Sequence, residues 1–140
     1  MRSRTVAFIA AAAVLAAGAA QAKMVHFMAD LSGKEESPAN TSAGKGMVMG
    51  LLDTDTKKFD YTVTYEGLSG PAGAAHFHAA AAPGGNGPPT LPVTVAPGSI
   101  KGSATLTDAQ IADLTAGKWY FNIHTAANPG GEIRGQLAGK

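Results

Sequence analysis

The stretch FDYTVTYE, residues 59–66, repeats with a period of two: Phe59, Tyr61, Val63 and Tyr65 share one side of an extended chain, and Asp60, Thr62, Thr64 and Glu66 share the other. Such a segment is a strand with one core face, and the pattern alone says which face it is. Working outward, the same phasing turns Phe27, Ala29 and Leu31 inward in a first strand. It also turns Phe77 inward between His76 and His78, and Phe121 and Ile123 inward ahead of His124. Short runs of this kind recur at 24–31, 45–53, 59–66, 74–79, 90–95, 99–106, 119–124 and 132–137. They are separated by turn formers such as Ser37-Pro38, Asp53-Thr54-Asp55, Ser69-Gly70-Pro71 and Asn128-Pro129-Gly130-Gly131. The pattern predicts an all-β sandwich or barrel of about eight strands.

LTDAQIADLTAGK, residues 106–118, breaks the alternation. Thr107 followed by Gln110 makes a capping box, the next residues favour helix, and Gly117 suits a left-handed stop. One helix of about two turns is expected there, with Ile111 and Leu114 pinning it to the sheet.

The chain opens with Arg2 and Arg4, an apolar run from Val6 to Ala17 and the sequence Ala20-Gln21-Ala22. This reads as a secretory signal peptide over residues 1–22, followed by a single domain over 23–140. The run is short for a bilayer span, so the mature chain is expected to be periplasmic or secreted, with no membrane partner. Cleavage would take two arginines with it, leaving nine Lys and Arg against ten Asp and Glu. No basic stripe remains, which argues against a nucleic-acid partner. The absence of cysteine excludes a thiol nucleophile, an iron–sulfur cluster and a cysteine-ligated zinc site, and leaves stability to burial and sheet pairing.

The phasing places all four histidines, His26, His76, His78 and His124, on the non-core side of their strands. One consequence is bland, since polar side chains belong on a solvated face. The sharper one is a metal site. His76 and His78 are separated by one residue, Phe77, on one strand, about 7 Å apart at the backbone, and can converge on one ion. His124 would supply a third ligand if its strand lies beside theirs, and His26 a fourth. Met24, His26 and Met28 also alternate, so two thioethers flank an imidazole. That mixture favours copper, Cu(I) in particular, over zinc. Met47 and Met49 form another same-face pair, expected as core filler.

Other features are weaker. Asp53-Thr54-Asp55 lacks the remainder of a Ca²⁺ loop and reads as a hairpin turn. Glu35 and Glu36 would point apart in an extended segment, against a paired acid/base site. Asn40-Thr41-Ser42 is a glycosylation acceptor pattern. Gly84-Gly85-Asn86-Gly87 reads as a flexible turn rather than a phosphate loop. Glu132 and Arg134 share a strand face and are expected to form an exposed ion pair.

The ordered segments YTVTYEGLSGPAGAAHFHAAAAPGGNGPP and LTDAQIADLTAGKWYFNIHTAANPGGEIRGQL, preceded by LSGKEESPANTSAGKG, resemble the CHRD domain, a module named from chordin and found also in bacterial exported proteins. AHFH, YFNIHT and NPGGEIRGQL, in that order, carry the resemblance most specifically. It covers about residues 27–138 and implies an exported all-β domain, a Greek-key-like antiparallel β-sandwich. Its histidine-bearing motifs fall on His76, His78 and His124, whereas His26 and its methionines lie outside the pattern. The resemblance implies no settled enzymatic activity. Chordin itself is a multidomain antagonist of growth factors, and that role is not expected of a chain read as a single domain.

The functional expectation is an exported copper-binding protein for storage, sequestration or delivery, with ligands drawn from His76, His78, His124, His26, Met24 and Met28. A homodimer would let a second copy complete ligands displayed on an outer sheet face. The alternatives are an adhesion or protein-interaction module without metal and a copper-dependent enzyme of superoxide-dismutase type. The enzyme reading is the least favoured, since no positive funnel is legible.

Overall fold

The computed structural model describes residues 23–140. The segment read as a signal peptide lies outside them. Strands β1 (Met24–Ser32), β2 (Lys45–Asp53), β3 (Lys58–Glu66), β4 (Ala74–His78), β5 (Pro89–Pro92), β6 (Ser99–Thr105), β7 (Tyr120–His124), β8 (Ile133–Gln136) and β9 (Ala138–Gly139) accompany one helix, α1 (Asp108–Thr115). The fold is all-β and antiparallel, as the alternation predicts. Hydrogen bonding runs continuously in the order β5-β4-β7-β8-β1-β2-β3-β6, with β9 added beside β1.

This sheet curls into two facing layers, β5-β4-β7-β8 and β1-β2-β3-β6. The join between them is narrow: the β1–β8 ladder pairs only Ser32 with Arg134. Gly135 is required beside that corner, because a Cβ there would strike the Asp30 carbonyl oxygen. The connections β3–β4, β5–β6 and β6–β7 cross between layers, giving the chain its Greek-key character.

The residues phased inward do form the core. Phe27, Leu31, Phe59, Val63, Phe77, Phe121 and Ile123 are all buried in one cluster. Phe77 stands at its centre and is fully buried. Its ring meets Tyr61 at 5.0 Å, Phe59 at 5.7 Å, Trp119 at 5.8 Å and Phe121 at 4.8 Å between centroids, so it bridges both layers. Helix α1 begins with the expected box: Thr107 Oγ1 accepts from the Gln110 amide at 3.2 Å, and Gln110 Oε1 accepts from the Thr107 amide at 2.9 Å. Gly117, with φ of +72°, follows the end of the helix, and Leu114 is buried. At the turn between β2 and β3, Asp53 accepts from the amides of Asp55 and Thr56, which fits a hairpin rather than a cation loop.

A second, polar layer lies on the outside of β4-β7-β8, under the loop that follows β4. The expectation of an exposed Glu132–Arg134 pair fails here, because both residues are fully buried and face different partners. Arg134 stacks on the Tyr120 ring with its guanidinium carbon 3.5 Å from the centroid. It donates to Asn86 Oδ1 at 3.0 Å and to the Gly85 carbonyl. Glu132 instead accepts from Ser42, Ser69 and Thr125. Burial pushes its carboxyl up, but those donors outweigh burial and hold it at about 2. The Gly84–Gly87 stretch is therefore a pinned roof rather than a flexible turn. Gly87 lies so close to the Ala79 carbonyl oxygen that no Cβ fits.

Glu36 closes the layer from the other side. Burial raises its carboxyl to about 7, against the lowering influence of Arg134, Asn122 and the Ser37 backbone. Alternation could not reveal this residue, because it follows a 3-10 turn (Gly33–Glu35) and owes its burial to distant chain.

Two predictions test this architecture. Phe77→Ala should cost about 3–5 kcal/mol in denaturant unfolding, the range for a large core aromatic whose site cannot collapse. The Glu36 proton gives a pH signature. The native state keeps this proton up to about 7, whereas a free glutamic acid gives it up at 4.5. Its contribution is therefore full below that lower value and is lost as pH rises through the upper one. Stability of Glu36→Gln relative to the wild type should accordingly rise by on the order of 3 kcal/mol between pH 4 and pH 8. His76 and His78 are held below the ordinary imidazole value, chiefly by burial, and act in the opposite sense; they are common to both proteins and cancel in the comparison.

Candidate metal centre

Antiparallel pairing of β4 with β7 sets His76 opposite Asn122, His78 opposite Tyr120 and Ala74 opposite His124. All three histidines thus leave the outer face of two adjacent strands, with His124 diagonal to His76. The adjacency that the sequence left open is met. One ligand nitrogen from each of His76, His78 and His124 lies within 4.8 Å of the others.

The closest approach is His76 Nδ1 to His124 Nε2, 3.3 Å. Two nitrogens bound to one tetrahedral ion at metal–nitrogen distances of about 2.0–2.1 Å lie about 3.3–3.4 Å apart, so this pair needs little adjustment. His78 must close by roughly 1–1.5 Å, within reach of a ring rotation.

Backbone carbonyls hold two of the rings. His78 faces an acceptor from each ring nitrogen, the Gly87 carbonyl 2.9 Å from Nδ1 and Asn122 Oδ1 beside Nε2, so its neutral form donates to one of them at a time. His124 Nδ1 lies 3.0 Å from the Pro129 carbonyl, which only accepts, so His124 Nδ1 carries the proton and its Nε2 presents its lone pair. This is the arrangement that orients metal-ligating histidines, whose second nitrogen donates to a fixed acceptor. The Asn128-Pro129-Gly130-Gly131 turn thus holds His124, as its rigidity suggests, and the glycine-rich roof holds His78. His78 Nε2 is 3.0 Å from Asn122 Oδ1, and its ring stacks on Tyr120 at 4.5 Å with the planes 5° apart. Binding an ion through His78 Nε2 would exchange the Asn122 contact for a metal bond.

Burial lowers the His76 and His78 pKa values, and neighbouring imidazoles add to the effect. Both rings are therefore neutral at neutral pH, the form that ligates. His78 is buried, whereas His76 and His124 are half-exposed, so an ion can enter from solvent. The bland expectation of a solvated histidine face does not describe His78.

The remaining expected ligands do not join this centre. His26 pairs with Leu51 on β2. Ser32 is the β1 residue that meets β8, three strands across from His76 through Asn122 and Arg134, and His26 lies six residues further along β1. Met24 and Met28 stay with His26 on the outer face of β1. Met47 and Met49 are not core filler: they are 37% and 48% exposed. Their inward-facing neighbour Val48 takes the core position in β2. Sequence reasoning passed over Tyr120 and Asn122, and read Arg134 and Glu36 without their burial. Tyr120 and Asn122 carried a usable signal, being four and two residues before His124 and therefore on its face.

Among the described residues, no helix is long and apolar enough to cross a membrane. No curated protein and no solved structure matches the chain. A family model does, the CHRD domain, over residues 27–137, a span that holds β4, β7 and all three clustered histidines. The chain belongs to the CHRD-domain family.

Proposed function

We propose that this protein is an exported, periplasmic or secreted, copper-binding protein in which His76, His78 and His124 hold the ion for storage, sequestration or delivery. The carrying observation is the 3.3 Å approach of His76 Nδ1 to His124 Nε2, together with the Pro129 carbonyl acceptor that turns the Nε2 lone pair of His124 toward that approach. Three neutral nitrogen donors suit copper or zinc. Copper is favoured because divalent affinity for such a set peaks at copper. Three protein ligands also leave a coordination position open, which suits an ion that is handed on.

A redox enzyme of superoxide-dismutase type is disfavoured by Arg134. An anionic substrate needs an accessible cation near the metal, and this guanidinium is 1% exposed and committed to Tyr120, Asn86 and Gly85. Arg134 instead braces the roof over His78.

Competition titrations with Cu(I), Cu(II) and Zn(II) test the reading. Copper should bind at micromolar affinity or tighter, and more tightly than zinc. His76→Ala, His78→Ala and His124→Ala should each weaken it by more than the 10–100-fold typical of removing an outer hydrogen-bond partner. Copper affinity indifferent to all three substitutions would leave the interaction-module reading in its place.

A further inference from the structure

We propose a second metal site, distinct from the histidine trio and selective for Cu(I), on the outer face of β1 and β2, with Met28, Met49 and His26 as its ligands. Every methionine among the described residues, Met24, Met28, Met47 and Met49, projects from this one face. The inward positions of the same two strands carry Phe27, Ala29, Leu31, Val48 and Leu52. Among the described residues the exposed large hydrophobics are methionines only: Met24 at 46%, Met47 at 37% and Met49 at 48%. Methionine is ordinarily valued as a pliable filler of core gaps. Here the core is filled by aromatic, leucine, valine and isoleucine side chains, while Met24, Met47 and Met49 stand in solvent and Met28 lies half-buried on the same face.

The register brings these side chains within coordinating reach. Met28 lies directly opposite Met49, and His26 lies opposite Leu51, one diagonal step from Met49. Opposed side chains start about 4.5–5.5 Å apart at Cβ and diagonal ones about 7–8 Å apart, distances that three rotatable bonds in each methionine can close. His26 and Met49 also line one surface depression of about 230 Å³, together with Leu51, Asp60 and Thr62. Two thioethers and one imidazole form a soft, neutral donor set. It selects Cu(I) over Zn(II) and Cu(II), in contrast to the all-nitrogen trio. Met24, two residues from His26 on the same face, and Met47, two residues from Met49, flank the site.

The test is independent of the trio because its reporter is local. Protein carrying [methyl-¹³C]methionine is titrated with Ag(I), a redox-inert soft monovalent probe, then with Cu(I) under anaerobic reducing conditions, and separately with Zn(II). The expected result is saturable movement of the Met28 and Met49 methyl signals, complete by two equivalents of Ag(I) or Cu(I), and none with Zn(II). Met28→Leu and Met49→Leu, at surface positions where folding is not at stake, should each weaken Ag(I) binding at this face at least tenfold. His26→Ala should do the same, while Cu(II) binding at His76, His78 and His124 stays unchanged. Methyl signals that do not move with up to two equivalents of Ag(I), enough to fill both sites, or that move alike for Zn(II), would overturn the proposal. So would unaltered binding in Met28→Leu and Met49→Leu. None of these outcomes depends on whether the trio binds copper.

Discussion

Phe77 stands opposite Phe121 in the β4–β7 ladder, and the two rings meet in the core at 4.8 Å. This cross-strand pair fixes the register on which the candidate metal centre depends. Side chains alternate along each strand, so burying Phe77 forces His76 and His78 to the outer face, and burying Phe121 and Ile123 does the same for Asn122 and His124. A slip of one residue would expose the two phenylalanines and bury the imidazoles. The hydrophobic energy that selects the register therefore also aims the ligands. No separate device is needed to bring His76 and His124 together.

What turns an outer face into a site is the covering that alternation does not describe. Sheet pairing leaves His78 and His124 free to rotate; carbonyls from two connecting segments stop them. Gly87 belongs to the loop after β4, and Pro129 to the turn between β7 and β8. The loop is tied down by Arg134, whose positive charge is tolerable because it lies on Tyr120 and bonds to the loop. The sequence Arg134–Tyr120–His78 is thus a stack running across three strands, with the roof resting on it. Rigidity at His78 is inherited from this polar layer rather than from the apolar core.

These two levels were unequally legible. Strand positions and inward faces could be read from residues 59–66 and extended to the other strands, because a period of two is a local property of the chain. The helix could be read from Thr107, Gln110 and Gly117 for the same reason, since its caps are satisfied within the segment. The partnership of His124 with His76 was open, as strand order is not encoded in any one strand. The burial of Glu36, Arg134 and Glu132 was not legible. Their burial comes from loops folding over the outer face, and a charged residue at an outward position looks the same whether or not a loop covers it. The methionines misled in a related way. Met47 and Met49 share a face, but treating them as filler ignored that Val48 and Leu52 already occupy the inward positions of that strand.

The separation of His26 from the trio changes the chemistry the molecule can offer. One mixed centre of four imidazoles and two thioethers would compromise between hard and soft demands. The fold instead places three imidazoles on β4 and β7 and gathers the methionines, with His26, on β1 and β2, with β8 between the two groups. An all-imidazole set accommodates either oxidation state of copper, whereas a thioether-rich set discriminates against the divalent ion. Because both groups lie on outward faces of one rigid curled sheet, loading one requires no rearrangement of the core that supports the other. The alternation that builds the hydrophobic interior thereby leaves two chemically distinct surfaces.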